Sequence, residues 1–157
     1  MKKKTIFLFF LLSAIKLPVE AQQPPSLHTI SWEMLKDVTW SRKYMEALSD
    51  FFPMPNFGKQ IELLDNKPVT IQGFYVPVDM EGTIFALSES PSYTCFFCGV
   101  GGIESVMEIL VKEGHRDLKR IRTDRYIQVK GIFSINRDNP EHLMYILKDA
   151  ELVKVVR

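Results

Sequence analysis

Val69-Thr70-Ile71-Gln72-Gly73-Phe74-Tyr75 and, far downstream, Ile127-Gln128-Val129-Lys130-Gly131-Ile132-Phe133 share one order: apolar, polar, apolar, polar, Gly, apolar, aromatic. Alternation with a period of two is the pattern of a half-buried strand. A glycine in mid-strand marks a bulge or a tight bend, of the kind that small barrels need to close. Working outward, Glu81-Gly82 reads as a turn into Thr83 to Leu87. The polar run Asn136 to Pro140 leads into the apolar Leu143 to Leu147, and a closing strand covers Ala150 to Val156. Two glycine-kinked β units joined by a segment with a single helix predict a β-rich α+β fold, an OB-like small barrel with one main helix. That helix is expected over about 103–113, because Ile103, Val106, Met107, Leu110 and Val111 fall at i, i+3, i+4, i+7, i+8 and Gly114 sits where a C′ glycine belongs.

Upstream, Gln22 to Ser26 is a polar lead, and Ser31 is placed to cap a short helix through Trp32, Met34 and Leu35. From there to about Phe57 the aromatic residues Trp40, Tyr44, Phe51 and Phe52 follow neither period, so the stretch reads as an irregular arm packed over the barrel core. Phe57, Ile61 and Leu64 then give one or two helical turns ending at Asp65-Asn66. The expected division is residues 1–21 as a signal peptide, 22–56 as lead and arm, and 57–157 as the barrel domain.

The signal reading rests on Lys2-Lys3-Lys4, the apolar run Ile6 to Ile15 and small residues up to Ala21, near which cleavage is expected. The chain is then exported, periplasmic or secreted, with no membrane span in the mature part. Of 20 Lys+Arg and 19 Asp+Glu the signal removes four Lys and one Glu, leaving 16 against 18 on 136 residues. A slightly acidic domain offers no electrostatic reason to bind nucleic acid. The basic residues Lys112, His115, Arg116, Lys119, Arg120, Arg122 and Arg125 read as a solvated helix end and loop.

Chemistry concentrates in Cys95-Phe96-Phe97-Cys98-Gly99, the two cysteines of the chain. Three readings stay open. As a structural disulfide the pair would stabilise little, because a loop this short removes only ~2 kcal/mol of unfolded-state entropy. As a metal half-site, Cys-x-x-Cys suits zinc or Cu(I), with Gly99, Gly101 and Gly102 freeing the backbone, Phe96 and Phe97 shaping the turn, and the oncoming helix favouring thiolate. Remaining ligands would be His28 or His142, or the same pair from a homodimer; Met80, Met107 or Met144 are optional thioether partners for Cu(I). His115 is excluded by the length of the expected helix. As a thiol–disulfide exchanger, Cys95 would attack; Pro140 could pass for the cis-proline of a thioredoxin-like site, but the turn Asn136 to Asn139 already explains it. No Ser/His/Asp set, paired carboxylates or phosphate-binding glycine loop competes, so a non-enzymatic role is favoured.

Ile30-Ser31-Trp32, Val69 to Pro77, Phe85-Ala86-Leu87-Ser88, Cys95 to Gly99 and Tyr126 to Ala150 together resemble the secreted bacterial domain-of-unknown-function family 3299, in its two-cysteine branch. The resemblance implies an exported protein, associated in some members with metal-uptake or transport components, and so tilts the metal reading towards zinc.

Overall fold

A computed structural model describes residues 26–46, 49–78, 85–91 and 102–156. In chain order the elements are β1 (His28–Thr29), α1 (Trp32–Leu35), β2 (Val38–Met45), β3 (Asp50–Phe57), α2 (Lys59–Leu64), β4 (Pro68–Pro77), β5 (Phe85–Ser88), β6 (Val106–Val111), β7 (Tyr126–Ile135) and β8 (Tyr145–Val155). Single 3-10 turns, Ile103–Ser105 and Leu118–Arg120, precede β6 and β7.

The two glycine-centred segments pair with each other. β4 and β7 run antiparallel with Val69 opposite Gly131 and Gly73 opposite Ile127, so the glycine of each faces the first residue of the other. A Cβ on Gly73 would lie 2.7 Å from both Leu87 Cγ and the Ser88 carbonyl oxygen; one on Gly131 would meet the Lys148 carbonyl at 2.6 Å and Leu147 Cγ at 2.8 Å. At each glycine the next strand, β5 or β8, therefore crosses where a side chain would stand. These are the bends that close the sheet.

The sheet runs β4-β5-β6-β8-β7 and returns to β4, a closed five-stranded barrel. Its neighbours are antiparallel except β6 and β8, which are parallel. β1 lies parallel to β4 at Val69–Thr70, short of the Phe74–Pro77 stretch that pairs with β5. Inward-facing Ile71, Tyr75, Leu87, Met107, Ile109, Ile127, Val129, Phe133, Tyr145 and Leu147 are all buried and fill the interior.

The expected main helix is not there. Residues 103–113 form one 3-10 turn and then β6, which fills the place between β5 and β8. The apolar run served both periods, and tertiary pairing chose the strand. Met107 and Ile109 point inward, whereas Ile103 and Leu110, needed on the buried face of a helix, are exposed. Gly114, expected as a helix C′ residue, does adopt a left-handed conformation (φ 81°), but it turns the chain after a strand.

The stretch before Phe57 is also more regular than its spacing suggests. α1 starts at Ser31, whose hydroxyl accepts from the Met34 amide, and the buried Trp32 and Leu35 join Phe57, Ile61 and Leu64 over the barrel core. Trp32 Nε1 donates to the Gln72 carbonyl at 2.8 Å. Between these helical turns β2 and β3 form an antiparallel hairpin of their own. Asn66 ends the second turn in the left-handed region (φ 58°), matching the Asp65-Asn66 stop.

Candidate functional site

Two connections meet beside the start of β6. The first is the segment between β5 and β6, whose base is pinned. Glu89 N–H donates to the Ser105 carbonyl at 3.0 Å, and Ser105 Oγ donates to the Gly102 carbonyl at 2.7 Å. Ser90 N–H reaches Ser88 Oγ at 3.1 Å. Lys36, just after α1, pairs with Glu89 at 2.9 Å and Glu33 at 3.3 Å; the bonds to Glu89 and then Glu33 hold its ammonium above the ordinary lysine value. Cys95, Phe96, Phe97, Cys98, Gly99 and Gly101 lie outside the described residues, as do Met80 and the signal segment.

The second is the connection from β7 to β8. Asn136 organises it: its N–H donates to the Met144 carbonyl at 2.9 Å, and its side-chain amide donates to the Asn139 and His142 carbonyls at 2.6 and 3.0 Å. His142 is thereby presented to β6, where Glu108 is buried. Its Nδ1 lies 2.9 Å from Glu108 Oε1 and 3.1 Å from Oε2, and Oε2 also accepts the Leu143 N–H at 3.1 Å. Among the described residues Nε2 has no hydrogen-bond partner, and the side chain keeps 38% of its surface exposed. A carboxylate on one imidazole nitrogen fixes the ring and the tautomer and leaves the other nitrogen as a lone-pair donor, the arrangement usual behind a metal-bound histidine.

His142 also borders a mainly apolar cavity of about 260 Å³ that includes Trp40, Met54, Ile103 and Met144. Ile103 belongs to the far end of the pinned segment. The structure therefore brings His142 and the strand entry after Gly102 to one place.

The other histidines stand elsewhere. His28 pairs beside Val69, and its neighbour Leu27 lines a separate cleft with Lys112, Lys130 and Glu151. His115 follows β6, whose six residues span ~17 Å, so its distance from the entry comes from an extended strand, not from the expected helix. The reading in which a helix N-terminus favours thiolate loses its helix, since a three-residue 3-10 turn follows Gly102. No peptide bond among the described residues is cis, which removes Pro140 as a thioredoxin-type cis-proline. Among the described residues no three His, Cys, Asp or Glu side chains gather as a metal site.

The basic stretch becomes a strand end and a 3-10 turn, not a helix end. Lys112 pairs with Glu151, and Lys130 pairs with the same carboxylate at 3.0 Å. Hydrogen bonds from Lys112 and then Lys130 pull the Glu151 carboxyl down to about 2. Sequence reading missed Glu108, which sat inside an apolar run and carries its meaning only through a contact 34 residues away. Met107 is fully buried core, and Met144 is buried at the cavity wall.

No family model and no curated protein matches the chain. A solved structure of a protein of domain-of-unknown-function family 3299, from Pseudomonas aeruginosa PAO1, is similar to it at 14% sequence identity. The match covers 83% of this chain and 95% of that one, with a TM-score of 0.43. Among the described residues no helix is long and apolar enough to cross a membrane.

Proposed function

We propose that this chain is an exported metal-binding accessory protein, with Cys95 and Cys98 as a half-site for zinc or Cu(I) and His142 as the histidine that joins them. One observation carries the reading: His142 is held through Nδ1 by the buried Glu108 on the same cavity wall as Ile103. Cys98 precedes Gly102 by four residues, a reach of under about 15 Å for a trans chain. Thiolates and a neutral imidazole are a donor set suited to zinc, and Glu108 supplies the outer carboxylate that such a ligand uses. We favour His142 over His28, which among the described residues pairs beside Val69, next to a Leu27 that lines a separate cleft. A fourth ligand comes from solvent, from a partner, or from a second copy of the pair in a homodimer.

The strand order β4-β5-β6-β8-β7 with its one parallel contact between β6 and β8 supports an OB-like description of the barrel. The five sequence blocks support membership of the two-cysteine branch of the family named above, and the basic n-region with its short apolar run supports export.

Titration of the reduced mature chain with zinc, following mass and metal content together, tests the function. Uptake should vanish in Cys95→Ser and Cys98→Ser, weaken in His142→Ala, and persist in His28→Ala and His115→Ala. Absence of uptake at micromolar metal in every assembly state would sink the proposal. Disulfide exchange that is lost in Cys95→Ser and needs no metal would transfer the pair to redox chemistry.

A further inference from the structure

The β2–β3 hairpin is a two-stranded sheet that no other described strand joins. Its two outer edges differ. Gly58 N–H donates to the Asp37 carbonyl at 2.7 Å, which makes Asp37–Gly58 a hydrogen-bonded pair. Antiparallel ladders alternate, so with Thr39 opposite Asn56 and Ser41 opposite Met54 those pairs are hydrogen-bonded too. The intervening residues, Trp40, Arg42 and Tyr44 on β2 and Phe51, Pro53 and Pro55 on β3, turn their backbone groups away from the hairpin. On the β3 side, two of those outward positions are prolines and present no N–H. That edge is blocked in the manner of a protected sheet edge. On β2, Trp40, Arg42 and Tyr44 keep theirs, so an edge that is unblocked among the described residues runs along an eight-residue strand.

We infer that the outer edge of β2 pairs antiparallel with β2 of a second copy of this chain, about a two-fold axis at Ser41. The side chains select both the partner and the register. Trp40, Arg42 and Tyr44 share one face, on which Trp40, Tyr44 and Phe51 are exposed and the Arg42 guanidinium lies 5.9 Å over the Phe51 ring. With Ser41 on the axis, Trp40 faces the second copy's Arg42 on both sides of the axis, Tyr44 faces Val38, and Thr39 faces Lys43. Each cation then meets an aromatic ring or a hydroxyl, and no like charges meet. Moving the axis to Arg42 would set Arg42 against itself; moving it to Trp40 would shorten the pairing. An isolated hairpin is marginal in water, and pairing two copies edge to edge makes a four-stranded sheet, above the three strands that independent stability needs. This contact uses neither cysteine, so it is separate from a metal-bridged pair.

The test is sedimentation of the mature chain over a range of concentrations up to several hundred micromolar, with and without chelator. The expected result is a dimer that survives chelator and the double change Cys95→Ser, Cys98→Ser. Arg42→Pro should give a monomer, since it removes an outward N–H and leaves the ladder to β3 intact. Trp40→Arg, which changes no backbone group, should weaken the dimer roughly tenfold by setting Arg against Arg twice; adding Arg42→Trp should restore it. In the cysteine-free background Ser41→Cys should cross-link under oxidant, and Thr39→Cys should not. A monomer at every concentration overturns the inference. So does a dimer that Arg42→Pro leaves unchanged, or one that chelator dissolves, which would belong to the metal proposal instead.

Discussion

Replacing Gly131 with alanine adds one carbon where β8 crosses β7. Its Cβ would stand 2.6 Å from the Lys148 carbonyl oxygen and 2.8 Å from Leu147 Cγ, whereas ordinary contact begins at 3.4 Å. The first neighbour is backbone within the barrel, so relief requires β8 to slide against β7, and overpacking of this kind costs about 1–3 kcal/mol. Alanine recovers some of that by narrowing the unfolded ensemble, about 0.4–1 kcal/mol. A net loss of about 1–2 kcal/mol should remain, lowering the thermal midpoint by about 2–8 °C for a chain of this size. Gly73→Ala should behave alike, because its Cβ would meet the Ser88 carbonyl at 2.7 Å. The two glycines lie four register steps apart, ~13 Å, so the double variant should be close to additive. Gly114 is the control. Nothing lies within 4 Å of its Cβ position but φ is 81°, so there Asn should be tolerated better than Ala, and at Gly131 it should not. Thermal and urea unfolding followed by circular dichroism read all of these. A Gly131→Ala protein within 0.5 kcal/mol of the parent would refute the close crossing as the reason for the glycine.

Tyr145→Phe removes the bond its hydroxyl donates to the Leu35 carbonyl at 2.6 Å, which ties β8 to α1; stability should fall by about 1–3 kcal/mol in urea unfolding, with the barrel intact. Burial, with help from the charges of Glu104 and Asp37, pushes that phenol up, so it stays a donor at any ordinary pH. Glu151, lowered from 4.5 to about 2 by Lys112 and Lys130, contributes stability that is fully present above pH 4.5 and lost as pH falls through 2. The stability difference between the parent and Glu151→Gln should therefore be flat above about pH 5, shrink below it, and be smaller in high salt. Glu108→Gln should keep the fold, since the amide oxygen can still accept from Leu143, while zinc affinity drops by about 10–100-fold in a competition titration; unchanged affinity would remove Glu108 from the metal proposal.

Much of the barrel was legible because its signals are local. The two Gly-centred repeats announce strands that bend, Ser31 announces a helix start, and Asn66 a helix end; each follows from the conformational range of a single residue. The same order of residue types in 69–75 and 127–133 reads as two glycine-kinked strands of one small barrel, and they pair with each other. The reading failed where two periods fit the same residues. Val106-Met107-Glu108-Ile109-Leu110-Val111 satisfies a helical face as well as a strand, and only the gap between β5 and β8 decides for the strand. The hairpin was hidden for a different reason. Pro53 and Pro55 argue against a strand until the pairing parity shows both on one outward edge, where no N–H is needed. The candidate site belongs almost wholly to tertiary structure. The sequence alone determined that thiol chemistry is confined to Cys95 and Cys98, because no other cysteines exist. It left His28 and His142 both open as further ligands. Barrel closure is what brings Glu108 against His142, since which loop meets which strand is a property of the closed sheet and not of spacing along the chain.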